Sequence, residues 1–277
     1  MRLDRKTFFA YARRAPFGNR LSRQQVEGLD ALLDEWDSGR YGRDARHFSN
    51  VCAQVFHETG GRMSPVREGF AASDAEARRV VAQRRYGKRD AGTGHVYYGR
   101  GAIQLTWAEN YRRLGKALEL RLYEQPDLAL DLRTSALIAL KGMAEGLFTG
   151  KKLADFFNDA EDDPVGARAI VNGRDKAALV ASYHAQFLGA VTAADLSSPR
   201  PADVSTRAAQ PDDVRPVESA GVLSALAAFM AAGGTGLVAA VNNPWAALTL
   251  VCLSLMALAV AWLVSSGRLQ VTRRTVP

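Results

Sequence analysis

A run of 49 residues near the end of the chain, 219–267, contains no charged side chain. It holds two apolar stretches, 220–241 and 245–264, separated by Asn-Asn-Pro. The second stretch has about 20 mostly apolar residues, the length that a helix needs to cross a bilayer. The first is rich in Ala and Gly, and a span, an interfacial helix and a weakly inserted segment all stay open for it. We therefore expect a folded part followed by one or two transmembrane helices.

The composition changes again just before this run. Residues 191–218 contain four prolines with small polar and acidic residues and few large apolar ones, which is typical of a flexible or disordered linker. We divide the chain into a folded domain (1–190), this linker, a membrane region (219–267) and a basic tail (268–277). Two spans would put the domain on the cytoplasmic side, whereas one span would put it outside.

The charges near the N-terminus, the cysteine and histidine content and the net charge narrow down the cell compartment and the partners of the protein. The first residues space their charges too closely for the apolar core of a secretory signal. Cys52 and Cys252 are the two cysteines in the chain, so we expect no disulfide framework. The four histidines show no metal-ligand spacing, and we predict no metal and no cofactor. A net charge of +7 favours an anionic partner such as nucleic acid, acidic lipid or a wall polymer.

Helical spacing of apolar residues dominates residues 1–190, and strand patterns are scarce, so we predict a mainly α domain. Ser22 to Gln25 fits a capping box, and the apolar residues that follow recur at helical spacing to Trp36. A weakly helical run covers 73–86. Further helices are predicted over 108–119, 134–148, 151–158, 164–172 and 176–189.

One predicted helix ends in a carboxylate. It begins near Asp44, its apolar stripe is Phe48, Val51, Cys52 and Val55, and Gly60-Gly61 is a natural stop. Glu58 then lies at the margin of the buried stripe and in the last helical turn. Partial burial and the negative end of the helix dipole both disfavour the ionised carboxyl. A carboxyl that keeps its proton is what a general acid requires.

A glycine-punctuated segment, YYGRGAIQLTW, follows at 97–107 and delivers Gln104, Thr106 and Asn110 onto one surface. Glu68 lies ten residues after Glu58. We find no phosphate-binding motif and no serine or cysteine nucleophile motif. Two carboxylates of different environment beside amide and hydroxyl groups are the apparatus of glycoside hydrolysis.

These motifs resemble the glycoside hydrolase family 19 chitinases, and more closely the phage endolysin branch of that family. The resemblance covers about residues 4–189 and implies a lysozyme-like α-helical fold with inverting hydrolysis of β-1,4-linked aminosugar polymers. The segments that carry it are HETGG (57–61), YYGRGAIQLTWAENY (97–111), PDLAL (126–130) and IVNG (170–173).

The resemblance also implies roles for individual residues. Glu58 would be the general acid and Glu68 the general base, with Glu76 and Asp90 as alternatives for the base because the intervening loop varies in length. Thr106 would hold the attacking water. The residues expected to bind sugar or order the loop are Gln104, Asn110 and Asn172, and Tyr98 and Trp107 are candidates for stacking on sugar rings or for the core.

We therefore expect a bacteriolytic endolysin that cuts the glycan of peptidoglycan, with a chitinase acting on chitin as the alternative. A third hypothesis is a membrane-anchored glycan-binding or holin-like protein with a vestigial enzyme domain. The expected partners are the glycan and the bacterial inner membrane, reached through the C-terminal segment, and we expect no nucleic acid. The host, the oligomeric state and the membrane topology stay open.

Overall fold

Seven α-helices, two short strands and several 3₁₀ turns make up the described part of the chain. The computed structural model describes residues 2–197 and 201–213. Strands β1 (Val66–Arg67) and β2 (Arg100–Gly101) pair antiparallel, with Val66 opposite Gly101. The mainly α prediction is confirmed for these residues. The helices are α1 Arg5–Arg14, α2 Arg23–Trp36, α3 Ala45–Glu58, α4 Asp74–Val80, α5 Ala108–Leu118, α6 Leu132–Glu145 and α7 Ala177–Ala194.

Several helices start at side chains that satisfy the first free backbone N–H groups. Asp4, Asp44 and Asp131 each accept a hydrogen bond from a backbone N–H in the first turn of the helix that follows. At α2, Ser22 Oγ accepts from the Gln25 N–H at 3.2 Å, and Gln25 Oε1 accepts from the Ser22 N–H at 2.8 Å. The predicted capping box is confirmed.

Two predicted helices are only 3₁₀ turns. Within 151–158 the turn is Leu153–Asp155, and within 164–172 it is Gly166–Ile170. Asp163 Oδ1 accepts from the Gly166 N–H at 2.7 Å, and such local bonds compete with a continuing helix.

Helix α3 runs through the middle of the core. It packs against α6 and α7, while α1 packs against α7 and α2 against α6. The predicted stripe on α3 is fully buried at Phe48, Val51, Cys52 and Val55. Because neighbouring helices pack against this stripe, the positions of the last turn of α3 and of Glu58 are fixed.

The domain extends beyond residue 190, where it was predicted to end. Helix α7 continues to Ala194, and Val191 and Ala194 are buried. The Asp4 N–H donates to the Ala194 carbonyl at 2.7 Å. The prediction of a linker from 191 is wrong here because the helix keeps burying apolar side chains past that point.

Residues 201–212, which we call the C-terminal strap, contact α1 and the turn after it. Arg13 Nη1 lies 2.6 Å from Asp212 Oδ2, and Arg14 Nη1 lies 2.8 Å from Asp203 Oδ2. The Asp212 N–H donates to the Leu21 carbonyl at 2.7 Å. The flexible-linker prediction is wrong for the strap because ion pairs and backbone hydrogen bonds hold it despite its low apolar content.

Among residues 2–197 and 201–213, no helix has the length and apolar character to cross a membrane. The predicted spans 220–241 and 245–264 and the basic tail 268–277 lie outside the described residues. They stay predictions.

Candidate active site

A cleft of about 330 Å³ opens beside the end of α3. It brings together six residues that the sequence singled out from separate segments of the chain. Its lining residues are Glu58, Ile103, Gln104, Leu105, Thr106, Trp107, Asn110, Phe148, Val171 and Asn172.

Glu58 is the last residue of α3, as predicted, and its side chain is 15% exposed. Its carboxylate faces Arg168, whose side chain is 2% exposed, with 2.7 Å between Glu58 Oε1 and Arg168 Nη1. Glu58 Oε1 accepts no well-directed hydrogen bond from the described residues, so the contact is mainly Coulombic. The end of α3 therefore places a buried cation directly against the Glu58 carboxyl. This cation was not predicted from the sequence.

Arg168 is a functional candidate that sequence reasoning missed. Its Nη1 donates to Gln54 Oε1 at 2.7 Å, and its Nε donates to the Asp175 carbonyl at 3.1 Å. Gln54 stands one turn before Glu58, and Asn50 one turn before Gln54. This polar row along α3, entirely buried at Asn50 and Gln54, was a readable signal for a buried polar partner.

Glu68 begins a 3₁₀ turn directly after β1. Tyr86 Oη donates to its Oε1 at 2.6 Å, and the Gly99 N–H donates to its Oε2 at 2.8 Å. Glu68 does not line the cleft itself. A Cβ placed on Gly99 would lie 2.7 Å from Gln104 Oε1 and 3.3 Å from Glu68 Oε2, so Glu68 lies next to Gln104, which does line it.

The two alternative bases are engaged in local turns. Glu76 Oε2 accepts from the Ala72 N–H at 2.9 Å at the start of α4. Asp90 Oδ1 accepts from the Gly92 N–H and from Tyr123 Oη, and the Tyr123 bond holds the pKa of Asp90 below its usual range. None of the three carboxylates lines the cleft. Glu68 lies next to Gln104, which does line it, so the geometry favours Glu68.

Residues 97–110, which we call the GRG loop and which end in the first turn of α5, build one wall of the cleft with side-chain bonds to nearby backbone carbonyls. Gln104 Nε2 donates to the Val66 carbonyl at 3.1 Å and to the Gly101 carbonyl at 3.2 Å. Thr106 Oγ1 donates to the Gln104 carbonyl at 2.9 Å, and Asn110 Nδ2 donates to the Thr106 carbonyl at 2.7 Å. These bonds hold three polar side chains on one surface.

Gly101 fixes where this wall stands. Its φ is +90°, and a Cβ there would lie 2.8 Å from the Ala129 carbonyl oxygen. Only glycine combines this backbone conformation with so close an approach. Asn172 also lines the cleft, and its Oδ1 accepts from the Gly173 N–H at 2.8 Å.

The two aromatic candidates lie in different environments, Trp107 in the cleft and Tyr98 in the core. Trp107 lines the cleft, is 43% exposed and meets the Tyr86 ring edge to face at 5.2 Å. Tyr98 is fully buried, and its Oη donates to Asp74 Oδ1 at 3.0 Å. The assignment of Tyr98 to the sugar-binding set is therefore corrected: it belongs to a small core with its hydroxyl satisfied inside the protein.

Residues 37–146 match the family model described as chitinase class I, glycoside hydrolase family 19. The match shows that these residues are similar to a glycoside hydrolase family. It contains both candidate carboxylates and the GRG loop, whereas Arg168 and Asn172 lie outside it.

Curated relatives match over short stretches. The chain is 48% identical over 48 residues to the inactive chitinase-like protein 1 of Hevea brasiliensis, covering 17% of this chain and 14% of that protein. It is 36% identical over 107 residues to the acidic endochitinase of Petunia hybrida, covering 37% of each. The matches thus span well under half of these relatives. Among solved structures, chitinase C from Streptomyces griseus HUT6037 aligns with 69% of this chain and 76% of its own, at 22% identity and a TM-score of 0.47.

Proposed function

We propose that this chain carries an active family 19 glycoside hydrolase domain that cleaves β-1,4 linkages between aminosugars with inversion. The observation that carries the proposal is the cleft itself. It places Glu58 of α3 beside Gln104, Thr106 and Asn110 of the GRG loop and Asn172. The family match to residues 37–146 supports the same class of chemistry.

Glu58 acts as the general acid. It donates its proton to the leaving glycosidic oxygen and ends the step as a carboxylate. Arg168, 2.7 Å away and buried, is the ion-pair partner of that carboxylate. Arg168 therefore supports the charge that develops during bond cleavage, which is where electrostatic help accelerates a reaction.

Glu68 acts as the general base that activates water on the opposite face of the sugar. Inversion requires about 6.5–9.5 Å between the two carboxyl groups so that the water fits. The bonds from Tyr86 Oη and the Gly99 N–H fix the position of the carboxylate. Because each carboxylate oxygen has a second lone-pair site, Glu68 can still accept a hydrogen bond from water.

Thr106 fits the role of orienting that water. Its Oγ1 already donates to the Gln104 carbonyl, so it offers lone pairs and accepts a hydrogen from the water. Trp107, which is exposed at the cleft, supplies an aromatic face for a sugar ring.

We propose peptidoglycan as the physiological glycan and a bacteriolytic, endolysin-type role. The support is the net charge of +7 and the resemblance to the phage branch of the family. Chitin is the alternative substrate, and digestion of purified peptidoglycan and colloidal chitin side by side separates the two. Activity on chitin alone would exclude the endolysin role.

Glu58→Gln tests the enzyme assignment. The variant keeps the size of the side chain but cannot donate a carboxyl proton, so we expect turnover to fall by about 10² to 10⁴-fold. Circular dichroism and the unfolding midpoint show whether the fold is intact. Turnover like that of the wild type would refute the acid role.

A second candidate function follows from the Hevea brasiliensis relative, which is named an inactive chitinase-like protein. In one form of this second function, the domain binds glycan without cleaving it. In the other, the membrane region lyses cells as a holin does. It predicts that Glu58→Gln lyses cells as well as the wild type and that residues 219–277 alone permeabilise the inner membrane.

We also propose attachment to the bacterial inner membrane through 220–241 and 245–264, based on the charge-free run. A C-terminal tag tested for protease accessibility in spheroplasts distinguishes one span from two. Full recovery of the protein in the soluble fraction would exclude attachment.

A further inference from the structure

The segment between Glu68 and the GRG loop carries a cluster of positively charged side chains and few negative ones. Residues 77–89 contain six Lys or Arg and no Asp or Glu. Arg78 is paired with Asp74, 3.0 Å from Nε to Oδ2, and Arg89 donates to the Gly94 carbonyl. The other four are exposed, and none of them forms an ion pair with another described residue. They are Arg79, Arg84, Arg85 and Lys88.

Three of these four cations flank Tyr86, and we call residues 84–88 the cationic turn. Tyr86 contacts both the proposed base and an aromatic residue of the cleft: its Oη donates to Glu68 Oε1 at 2.6 Å, and its ring lies 5.2 Å from the Trp107 ring. Trp107 in turn lines the cleft. The cationic turn is therefore anchored at the rim of the site where the glycan is cut.

The turn is also held firmly in place. The Arg84 N–H donates to the Val81 carbonyl at 2.8 Å, and the Gly87 N–H donates to the Arg84 carbonyl at 3.0 Å. A Cβ on Gly87 would come within 1.9 Å of the Val81 carbonyl oxygen. Because the backbone is pressed against the end of α4 at this point, the side chains of Arg84, Arg85 and Lys88 project from a fixed base.

A surface charge run is most often only a solvated face. Two features distinguish this one: its three cations form no ion pair with another described residue, and it lies beside an exposed tryptophan of the cleft. Neighbouring like charges raise the local potential and attract an anion, and a low-dielectric cleft nearby strengthens that field.

We propose that Arg84, Arg85 and Lys88 form a subsite that binds carboxylates of the glycan next to the cleavage site. The ligand class is a glycan with free carboxylates, as in wall glycan that carries lactyl groups and peptides. Neutral chitin offers no such charge. The proposal rests on the proposed glycosidase function of the adjoining cleft.

The test compares the full-length protein on two forms of one substrate. Peptidoglycan sacculi stripped of teichoic acid are used as purified and after carbodiimide amidation of their carboxylates. In the Arg84→Gln/Arg85→Gln/Lys88→Gln variant, we expect the ratio of kcat/KM on native to amidated sacculi to fall about tenfold at low salt, since each exposed ion pair contributes little and three act together. In 0.5 M NaCl the fall should shrink, because salt screens exposed charges.

The matched control removes three other exposed cations that form no ion pair with described residues, Arg2→Gln/Lys6→Gln/Arg20→Gln, on or near α1. We expect its ratio to stay that of the wild type. An unchanged ratio in the cationic-turn variant overturns the proposal, as does an equal fall in the control. A fall that persists undiminished in high salt also overturns it.

A binding measurement separates this proposal from the proposed function. In a Glu58→Gln background, sedimentation with native sacculi should show about tenfold weaker binding when the cationic turn is neutralised. If the wild type cleaves neither sacculi nor chitin, the glycosidase proposal fails, and this binding difference still decides the subsite. Equal binding with and without the three cations would exclude it.

Discussion

The two carboxylates of the proposed mechanism lie in regions that are built differently. Glu58 ends α3, whose preceding turns are buried in the main core, and it faces the buried guanidinium of Arg168. Glu68 lies in an irregular segment and is held by two neutral donors, Tyr86 Oη and the Gly99 N–H. On the helical side, the partner of the Glu58 carboxylate is the positive charge of Arg168. On the loop side, the partners of the Glu68 carboxylate are two neutral hydrogen-bond donors.

This difference has an energetic consequence. Breaking a buried ion pair leaves an uncompensated charge in a poorly hydrated place and is costly. Removing one neutral hydrogen-bond donor from a partly exposed carboxylate costs less, because water can replace it. The helical side should therefore respond to mutation in stability and activity together, and the loop side mainly in activity.

The largest effect is expected for Arg168→Gln. Loss of the guanidinium leaves Glu58 unpaired, and we expect the free energy of unfolding to fall by about 3 kcal/mol together with a large loss of activity. Urea unfolding measures the stability change. Adding Glu58→Gln should restore most of the stability and none of the activity. If the Arg168→Gln variant without Glu58→Gln is as stable as the wild type, the ion pair does not stabilise the helical side, and the two regions do not differ in this respect.

A truncation tests how far the helical region extends. Ending the chain after residue 190 removes the buried Val191 and Ala194 and the whole strap, so we expect a loss of about 3 kcal/mol relative to a chain ending after 213. Thermal unfolding of the two fragments measures it. Equal stability would restore the original interpretation of 191–212 as a linker.

His184 gives the helical region a pH dependence. It is buried on α7, stacks on Phe157 at 5.1 Å, and burial lowers its pKa to about 4. The unfolded chain takes up the proton near pH 6.5 and the folded chain only near 4. Stability from the neutral ring is therefore complete above pH 6.5 and is lost as pH falls toward 4, by about 3 kcal/mol.

The measurement is urea unfolding between pH 7 and 4.5 for the wild type and His184→Phe. The phenylalanine variant should lose clearly less stability over this range, because it has no group to protonate. Parallel curves for the two proteins would contradict the account of His184.

The smallest effect is expected on the loop side, for Tyr86→Phe. Glu68 loses one of the two donors that hold its carboxylate in place, so we expect kcat for glycan cleavage to fall several-fold. Burial and the bond to Glu68 raise the pKa of Tyr86 to about 12, so the tyrosine itself stays neutral throughout.

Tyr123→Phe is the matched control for this prediction. Tyr123 Oη donates to Asp90 Oδ1 at 2.5 Å, the same kind of tyrosine–carboxylate bond at one of the alternative bases. We expect its kcat to match that of the wild type. A lower kcat in Tyr123→Phe and an unchanged kcat in Tyr86→Phe would assign the base to Asp90.

Periodicity predicted the helical region well. The buried stripe on α3, the position of Glu58 in its last turn and the capping box at Ser22 all come from local rules of spacing and hydrogen bonding. Periodicity failed at Arg168 because the polar row on α3 indicates that a buried polar partner exists, whereas nothing local identifies which residue, 110 positions away in sequence, that partner is. It failed at 201–212 because low apolar content does not exclude a segment held by ion pairs.

The loop region was predictable only in its motif residues. The sequence indicated Gln104, Thr106 and Asn110 as a set, and the structure places them on one wall. It did not indicate Tyr86, which links Glu68 to Trp107, since nothing in RRYGKR points toward a distant carboxylate. Tyr98 was open between cleft and core because aromatic residues suit both.

The sequence by itself determined the helical class, the helix that ends in Glu58, the polar set of the GRG loop and the charge-free run at 219–267. These depend on the order of neighbouring residues. Only the tertiary structure decided that Arg168 faces Glu58, that Tyr86 and Gly99 hold Glu68, and that the strap belongs to the domain. The physical reason is that these contacts join segments far apart in the chain, and they form only when the core has brought those segments together.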